Sequence, residues 1–392
     1  MQLSIFKKNS NVLFFLTGLL VFSSFYKFVL SNFLGINLSL PEIVLFPFVI
    51  LLRKKFQIKI DGISLFFAII VWLVLYYLGT MDQSNGSLFT HSRGFLYIFL
   101  FFIFFKNPKT KFDTDYFLYL SFGSLCGWLF ISLYNLFLSR YSFEDLSGFT
   151  YGNLLAIPLF LSSSYFRNKR IWFYIGVCII IAIIFTAGLR RVIVVFLVSL
   201  FLIFFFPTQK TNNRKLIIPS ILLSLLAIIV YQNINIIGNY IYDYSPNTYY
   251  RIFEKTADSL DDNLIVEDIK RIGFFEYYLQ HFDEELLPNG FLKTSSEQEF
   301  GRFNDFPVLE LSHTFGFLGL VLILIYFFRC LIVSTKKAYS SLNVLVFLIP
   351  GFIIFLLAFL DGSFLTNPIV TPLTGVCLGK LALFTKNNSY NE

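Results

Sequence analysis

The chain has 392 residues, of which 56% are hydrophobic and 20% aromatic against only 14% charged, and its mean hydropathy is +0.70. Those proportions exclude an ordinary soluble globular domain and point to a polytopic membrane protein. The formal net charge of +7 does not argue for nucleic-acid binding, because the basic residues are divided among short loops between apolar runs and do not gather on one solvated face.

A bilayer core about 30 Å thick needs about 20 apolar residues per helix. By that measure apolar segments fall near 11–31, 38–52, 62–79, 94–105, 115–138, 151–166, 171–187, 190–206, 215–241, 307–333, 342–360 and 364–385, the second and fourth being short. The expected fold class is therefore an all-α polytopic membrane protein of about twelve transmembrane helices. The first run follows Lys7 and Lys8, as a secretory signal would, but it is longer than a signal core and lacks a small-residue cleavage site before Gly35, so it reads as a membrane helix. Cys126, Cys178, Cys330 and Cys377 all lie inside apolar segments with no CxxC spacing, and read as small apolar fillers.

Loop charge tests this segmentation independently, because a missed helix inverts every later loop. With the N-terminus in the cytoplasm, the inner loops carry Lys7 and Lys8, then Arg53, Lys54, Lys55 and Lys59, then Lys106, Lys109 and Lys111, then Arg167, Lys169 and Arg170. Lys210, Arg214 and Lys215, then Arg329, Lys336 and Lys337, and finally Lys380 and Lys386 continue the series, against the acids Asp61, Asp113, Asp115 and Glu392. Both termini are expected in the cytoplasm. The domain organisation that follows is a membrane bundle over 1–241, an external loop over 242–306, and a second part of the bundle over 307–392. The pair Arg190 and Arg191, the loops 80–93 and 139–150, and Asp361 with Asn367 fall on the same outer face. No repeat relates the halves, and no matched pair of glycine-interrupted helices marks a secondary transporter.

Within the external loop, Asp261, Asp262 or Asn263 can cap an amphipathic helix running to about Phe282. Ile265, Ile269, Ile272, Phe275, Leu279 and Phe282 recur at helical spacing as an apolar stripe, while Glu267, Lys270, Arg271, Phe274 and Tyr278 occupy the other face. Leu287-Pro288-Asn289-Gly290 then supplies turn chemistry. The stripe is expected to dock the loop on the bundle as a lid.

Several residues here can carry chemistry. Arg190 and Arg191 follow Thr186-Ala187-Gly188 at a helix mouth, and two cations on the outer face run against the usual loop bias. Their planar donors suit pyrophosphate oxygens, although an arginine can also snorkel to lipid headgroups. Arg271, beside Lys270, either points into an external cavity or is simply solvated. Glu310 and His313, three residues apart, share a helix face about one turn into an apolar segment. Ionisable groups at that depth mark a functional site by default, and either could take a proton from a sugar hydroxyl; the alternative is a Glu–His pair that only braces helix packing. Asp305, just before, is a third acid or a helix cap. Asp361 beside Gly362 reads as a turn residue, and Tyr242, Tyr244, Tyr249 and Tyr250 as an aromatic cluster of low specificity. No HExxH, DxD, GxSxG, Walker or zinc spacing occurs, so no metal or nucleotide cofactor is expected.

Taken in order, the large late loop, TAGLRRVIVVFLV, KRIGFFEYYLQHFDEELLPNGF and NDFPVLELSHTFGFLGL resemble the O-antigen polymerase (Wzy) and O-antigen ligase superfamily of bacterial inner-membrane proteins. The resemblance spans most of residues 186–320. It implies a metal-independent glycosyltransferase of the bacterial inner membrane that passes a glycan from undecaprenyl pyrophosphate to an acceptor hydroxyl on the periplasmic face. Arg190 or Arg191 and Arg271 would hold the pyrophosphate, and Asp305, Glu310 or His313 would orient or deprotonate the acceptor. The implied partners are the lipid-linked oligosaccharide and membrane lipids, with a chain-length regulator as a candidate protein partner and no nucleic acid. Where ligases usually place a histidine beside an asparagine near the end of the loop, Asp305 follows Asn304 here and His313 lies deeper. That departure and the modest loop favour a polymerase of O-antigen or a similar surface polysaccharide over a ligase acting on lipid A core. A lipid-linked oligosaccharide flippase or other transporter is the rival from another class, and a non-catalytic membrane protein is a third reading.

Overall fold

The computed structural model describes residues 2–23, 25–35, 47, 49–50, 60–80, 88–108, 115–139, 152–187, 189–206, 239, 242, 278–291, 307–338, 341–360, 364–365, 367 and 369–386. Among these residues helices and the turns that join them account for the chain, and there is no strand. The helices are α1 (Gln2–Leu20), α2 (Phe25–Leu34), α3 (Gly62–Thr80), α4 (Leu88–Lys106), α5 (Asp115–Ser139) and α6 (Ala156–Phe166). They continue as α7 (Arg170–Ala187), α8 (Arg190–Phe205), α9 (Pro307–Ala338), α10 (Leu342–Leu360) and α11 (Thr371–Lys386), with a 3-10 turn at Glu284–Leu286. Among the described residues five stretches are long and apolar enough to cross a membrane: Gly62–Thr80, Asp115–Tyr134, Arg170–Ala187, Pro307–Ala338 and Leu342–Phe359.

This is an α-helical membrane protein, and several segments differ from expectation. The first apolar run, 11–31, is not one helix, because a turn at residues 21–23 separates α1 from α2. The segment near 94–105 starts earlier, at Leu88, and gains the length it lacked. The last segment forms a helix only from Thr371, after turns at 364–365 and 369–370. Nearly all of 38–52 and 215–241, and the amphipathic helix before Tyr278, lie outside the described residues.

The chain divides into two compact units that interleave in sequence. The first comprises Met1–Ile50, Phe112–Leu264 and Ala338–Pro350, and the second Leu51–Lys111, Ile265–Lys337 and Gly351–Glu392.

In the first unit α1 and α5 run parallel with their backbones in contact. A Cβ placed on Gly123 would stand 2.1 Å from the Phe15 carbonyl oxygen, one on Gly18 would stand 1.9 Å from that of Leu120, and one on Gly127 would strike Ser23. Gly123 and Gly127 form a GxxxG motif, which works in lipid because dispersion between closely approaching helices replaces the missing hydrophobic drive. Ser124 Oγ donates to the Phe22 carbonyl across the same seam at 2.8 Å. Helix α6 is buried on nearly every side, and Asn153 begins it: its backbone carbonyl accepts from Ala156 N and its side-chain oxygen from Leu155 N. Where α6 ends, Arg167 and Lys169 lie 3.7 and 3.4 Å from the Asp115 carboxylate, and Arg167 also donates to Asn343 at 2.8 Å. That cluster ties together the starts of α5 and α10 and the end of α6.

The second unit repeats the packing device. In α11, Gly375 and Gly379 form another GxxxG motif laid parallel on α4, where added Cβ atoms would stand 2.6 Å from the Ile98 carbonyl oxygen and 2.7 Å from that of Phe102. Helices α3 and α4 form an antiparallel hairpin in which Trp72 Nε1 donates to the Ser92 carbonyl at 3.0 Å. Replacing Gly123 or Gly375 with leucine is expected to cost about 1–3 kcal/mol through forced helix separation. The corresponding change at Gly62, where nothing stands within 4 Å, should leave stability nearly unchanged. Thermal unfolding of the three purified variants in detergent measures the difference.

Candidate functional site

Helix α9 is continuous in trace but not in conformation. Gly316 has φ 73° and ψ 158°, a region open essentially to glycine alone, and it divides the helix into Pro307–Phe315 and a longer stretch from residue 317 to Ala338. The longer stretch is about 33 Å at 1.5 Å per residue, which matches a bilayer core. Glu310, Ser312 and His313 all lie before the break.

A helix break releases backbone carbonyls and amides that need new partners. The segment 285–291 supplies one, since Asn289 N donates to the His313 carbonyl at 2.9 Å. The segment also fills the space beside the break, because a Cβ on Gly316 would stand 2.7 Å from both the Leu286 oxygen and the Leu287 carbonyl carbon. Its far end is pinned to α3: Phe291 N donates to the Leu75 carbonyl at 3.2 Å, and Gly290, at φ 85°, fits against Leu75 and Gly79 where any side chain would clash. The buried Phe291 ring meets Phe95 of α4 with centroids 5.1 Å apart. The LPNGF turn is thus a backbone strap between two helices.

The strap carries one acid into the site. Glu285, in the 3-10 turn, is buried, while its neighbour Glu284 is exposed. The Glu285 carboxylate lies 2.9 and 3.2 Å from His313 Nδ1. An ionised carboxylate only accepts, so Nδ1 carries a proton and donates to it. The His313 side chain is 19% exposed and the Glu285 side chain 8%, so the imidazole has access from outside while its partner does not. One turn away Tyr278, also buried, hydrogen-bonds Ser312 through its hydroxyl. Burial pushes the Tyr278 phenol up, the bond to Ser312 opposes the shift, and the charge of Glu285 adds to it. Glu310 is fully buried, and so is Thr314 one helical turn further on. Arg93 of α4, in the same unit, is 5% exposed.

These positions revise several expectations. Glu310 is wholly inside the unit, and the His313 imidazole meets Glu285 of the strap. The stripe expected to bury Leu279 and expose Tyr278 is reversed at its end, with Leu279 68% exposed and Tyr278 buried. Tyr278 is drawn inward because its hydroxyl has a partner in Ser312. Three successive acids, Asp283, Glu284 and Glu285, precede the LPNGF turn, and nothing in their spacing says which one turns inward. Arg93 also went unmarked, because it read as part of a polar outer loop.

Arg190 and Arg191 open α8 in the first unit, with no acid in its first turn and no side-chain cap. Arg191 is half-buried. Arg271 and Asp305 lie outside the described residues, as do Tyr244, Tyr249, Tyr250 and Asp361. Among the described residues no three His, Cys, Asp or Glu side chains come together to hold a metal ion, and the four cysteines are free thiols. No protein-family model matches the chain, and comparison with curated proteins and with solved structures finds no match.

Because Gly316 is both left-handed and crowded, Gly316→Ala is expected to destabilise the strap by about 1–3 kcal/mol. Limited proteolysis should then cut residues 286–291 faster than in the parent protein, together with a lower unfolding temperature.

Proposed function

We propose that the chain is a polymerase of O-antigen or a related surface polysaccharide, a multi-pass protein of the bacterial inner membrane with both termini in the cytoplasm. It transfers a growing glycan from undecaprenyl pyrophosphate to a hydroxyl of an incoming lipid-linked repeat unit at the periplasmic face. The observation that carries the reading is the Glu285–His313 pair at the broken start of α9. A buried carboxylate that accepts from one imidazole nitrogen orients the ring and leaves the role of base to the other, as removal of a proton from a sugar hydroxyl requires.

In the proposed step His313 Nε2 takes the hydroxyl proton as the acceptor oxygen bonds to the anomeric carbon. The bond from that carbon to the pyrophosphate oxygen breaks, and the electron pair leaves with the lipid pyrophosphate. The charge gained by His313 is balanced by Glu285, and the proton later passes to solvent. By the resemblance in sequence, Arg190 or Arg191 and Arg271 neutralise the pyrophosphate, a role that planar guanidinium donors suit. Glu310 and Asp305 remain the other acids of the site. Metal chemistry has no part in this reading, and a chain-length regulator is the protein partner it suggests.

A transporter would also use a glycine-interrupted helix, with the freed backbone lining a substrate cavity. Here the strap fills the space beside Gly316 and takes the His313 carbonyl, which favours the docked lid.

His313→Ala and Arg271→Ala are expected to abolish long polysaccharide chains on a surface-polysaccharide gel while single capped units persist. Glu285→Gln, which keeps shape but loses charge, should lower the yield of long chains and make it more dependent on pH than in the parent. Normal ladders from all three variants at parental expression would refute the site. Total loss of polysaccharide from the lipid A core would indicate a ligase, and repeat units trapped on the cytoplasmic side a flippase.

A further inference from the structure

The strap is fastened to α9 at more points than the Glu285–His313 pair. Tyr278, in the helical turn that leads into it, hydrogen-bonds Ser312 through its hydroxyl, and both residues are buried. Further along, the Glu285 carboxylate meets His313 Nδ1, and the Asn289 amide donates to the His313 carbonyl. Between these points the Phe282 ring stands 6.2 Å from the Tyr278 ring and 5.0 Å from that of Phe317, just past the break. Burial first, and the Glu285 charge after it, hold the Tyr278 phenol above its ordinary value against the Ser312 bond, so carboxylate and phenol lie within electrostatic reach.

Successive residues of a helix point about 100° apart. Ser312 and His313 are successive, so Tyr278 and Glu285 take hold of two different directions on the same turn. That matters because the piece Pro307–Phe315 is short and joins the rest of α9 through Gly316, whose non-helical φ and ψ do not transmit a helical register. The Phe315 ring meets Phe95 and Phe99 of α4 with centroids 6.1 and 6.3 Å apart, but ring contacts restrain rotation less sharply than hydrogen bonds, which weaken steeply with angle. A small turn of the short piece about its axis would carry Nδ1 off the carboxylate, and the hold on Ser312 opposes that turn. We propose that Tyr278 and Ser312 are positioning residues, whose hydrogen bond sets the rotation of the first part of α9 so that the Glu285 carboxylate meets His313 Nδ1. Any effect on glycan transfer runs through His313 and rests on the polymerase reading, whereas the bond that Tyr278 secures can be observed with no substrate present.

The test is nuclear magnetic resonance of the full chain in detergent, with isotope-labelled nitrogen in its three histidines, His91, His281 and His313. An imidazole N–H held by a carboxylate exchanges slowly with water and gives a downfield proton signal, which His313→Gln identifies by its loss. Tyr278→Phe removes one oxygen and keeps the ring, and it is expected to abolish that signal or cut it severely. Ser312→Ala removes the same bond from the other side and should do likewise. A tyrosine that only braced packing would lower the unfolding temperature and leave the signal of the folded chain in place. On a surface-polysaccharide gel both variants should yield about two- to tenfold less long chain, as loss of one hydrogen bond implies. A parental signal in either folded variant would overturn the proposal, and so would absence of the signal from the parent. Loss of the signal with normal long chains would uphold the positioning and refute the polymerase site.

Discussion

The second unit depends on one backbone position, Gly316, where α9 must stop being a helix for a single residue and then resume. A helix that ran on unbroken would satisfy its own carbonyls and leave no place for the strap. With the break, the His313 carbonyl takes its hydrogen bond from Asn289, and the carbonyls of Leu286 and Leu287 approach to distances that only a residue without Cβ allows. The placement of Glu285 against the imidazole follows from this approach. Side-chain chemistry at the site is thus set by main-chain geometry several residues away, with Gly290 playing the reciprocal part on the strap.

The same economy governs the bundle. In lipid, burying apolar surface between helices brings little advantage over leaving it against acyl chains, so helices hold by dispersion and by backbone contact. Glycine is therefore placed where two helices cross, at Gly18, Gly123 and Gly127 in one unit and at Gly375 and Gly379 in the other. Around these close approaches the chain uses phenylalanine, 53 residues of it, as filler whose rings meet edge to face, as Phe117 meets Phe347 at 5.0 Å. Serine serves a related purpose inside the apolar layers. Ser162 reaches the Val346 carbonyl at 2.9 Å, tying α6 to α10 without placing a charge between them.

Much of this was legible in the sequence and some was not, for identifiable reasons. Hydropathy finds helices because every backbone group in lipid must be satisfied within its own segment, so α3, α7 and α10 appear nearly where the apolar runs place them. It fails at the turn between α1 and α2, since residues 21–23 are no less apolar than the helices on either side. The two GxxxG motifs were in plain sight, but a glycine pair acquires meaning only with its facing helix. His313 was readable as an ionisable group beside an apolar segment. Its partner was not, because Glu285 is distant in sequence and one of three adjacent acids, and only the strap's path selects it. Lys380 was counted among loop cations, whereas the helix from Thr371 carries it into the interior.

The two ends of α9 place opposite demands on the chain. Before the break, an imidazole is paired with a carboxylate from the strap, so the protein supplies both members and controls which nitrogen is basic. At the far end, beyond roughly 20 residues of apolar helix, cations come together over aromatic rings with no carboxylate among the described residues to meet Lys380. Had the unit needed only to be stable, an apolar residue at position 380 would have spared the cost of burying an ammonium, as replacement of buried ion pairs by apolar residues often does.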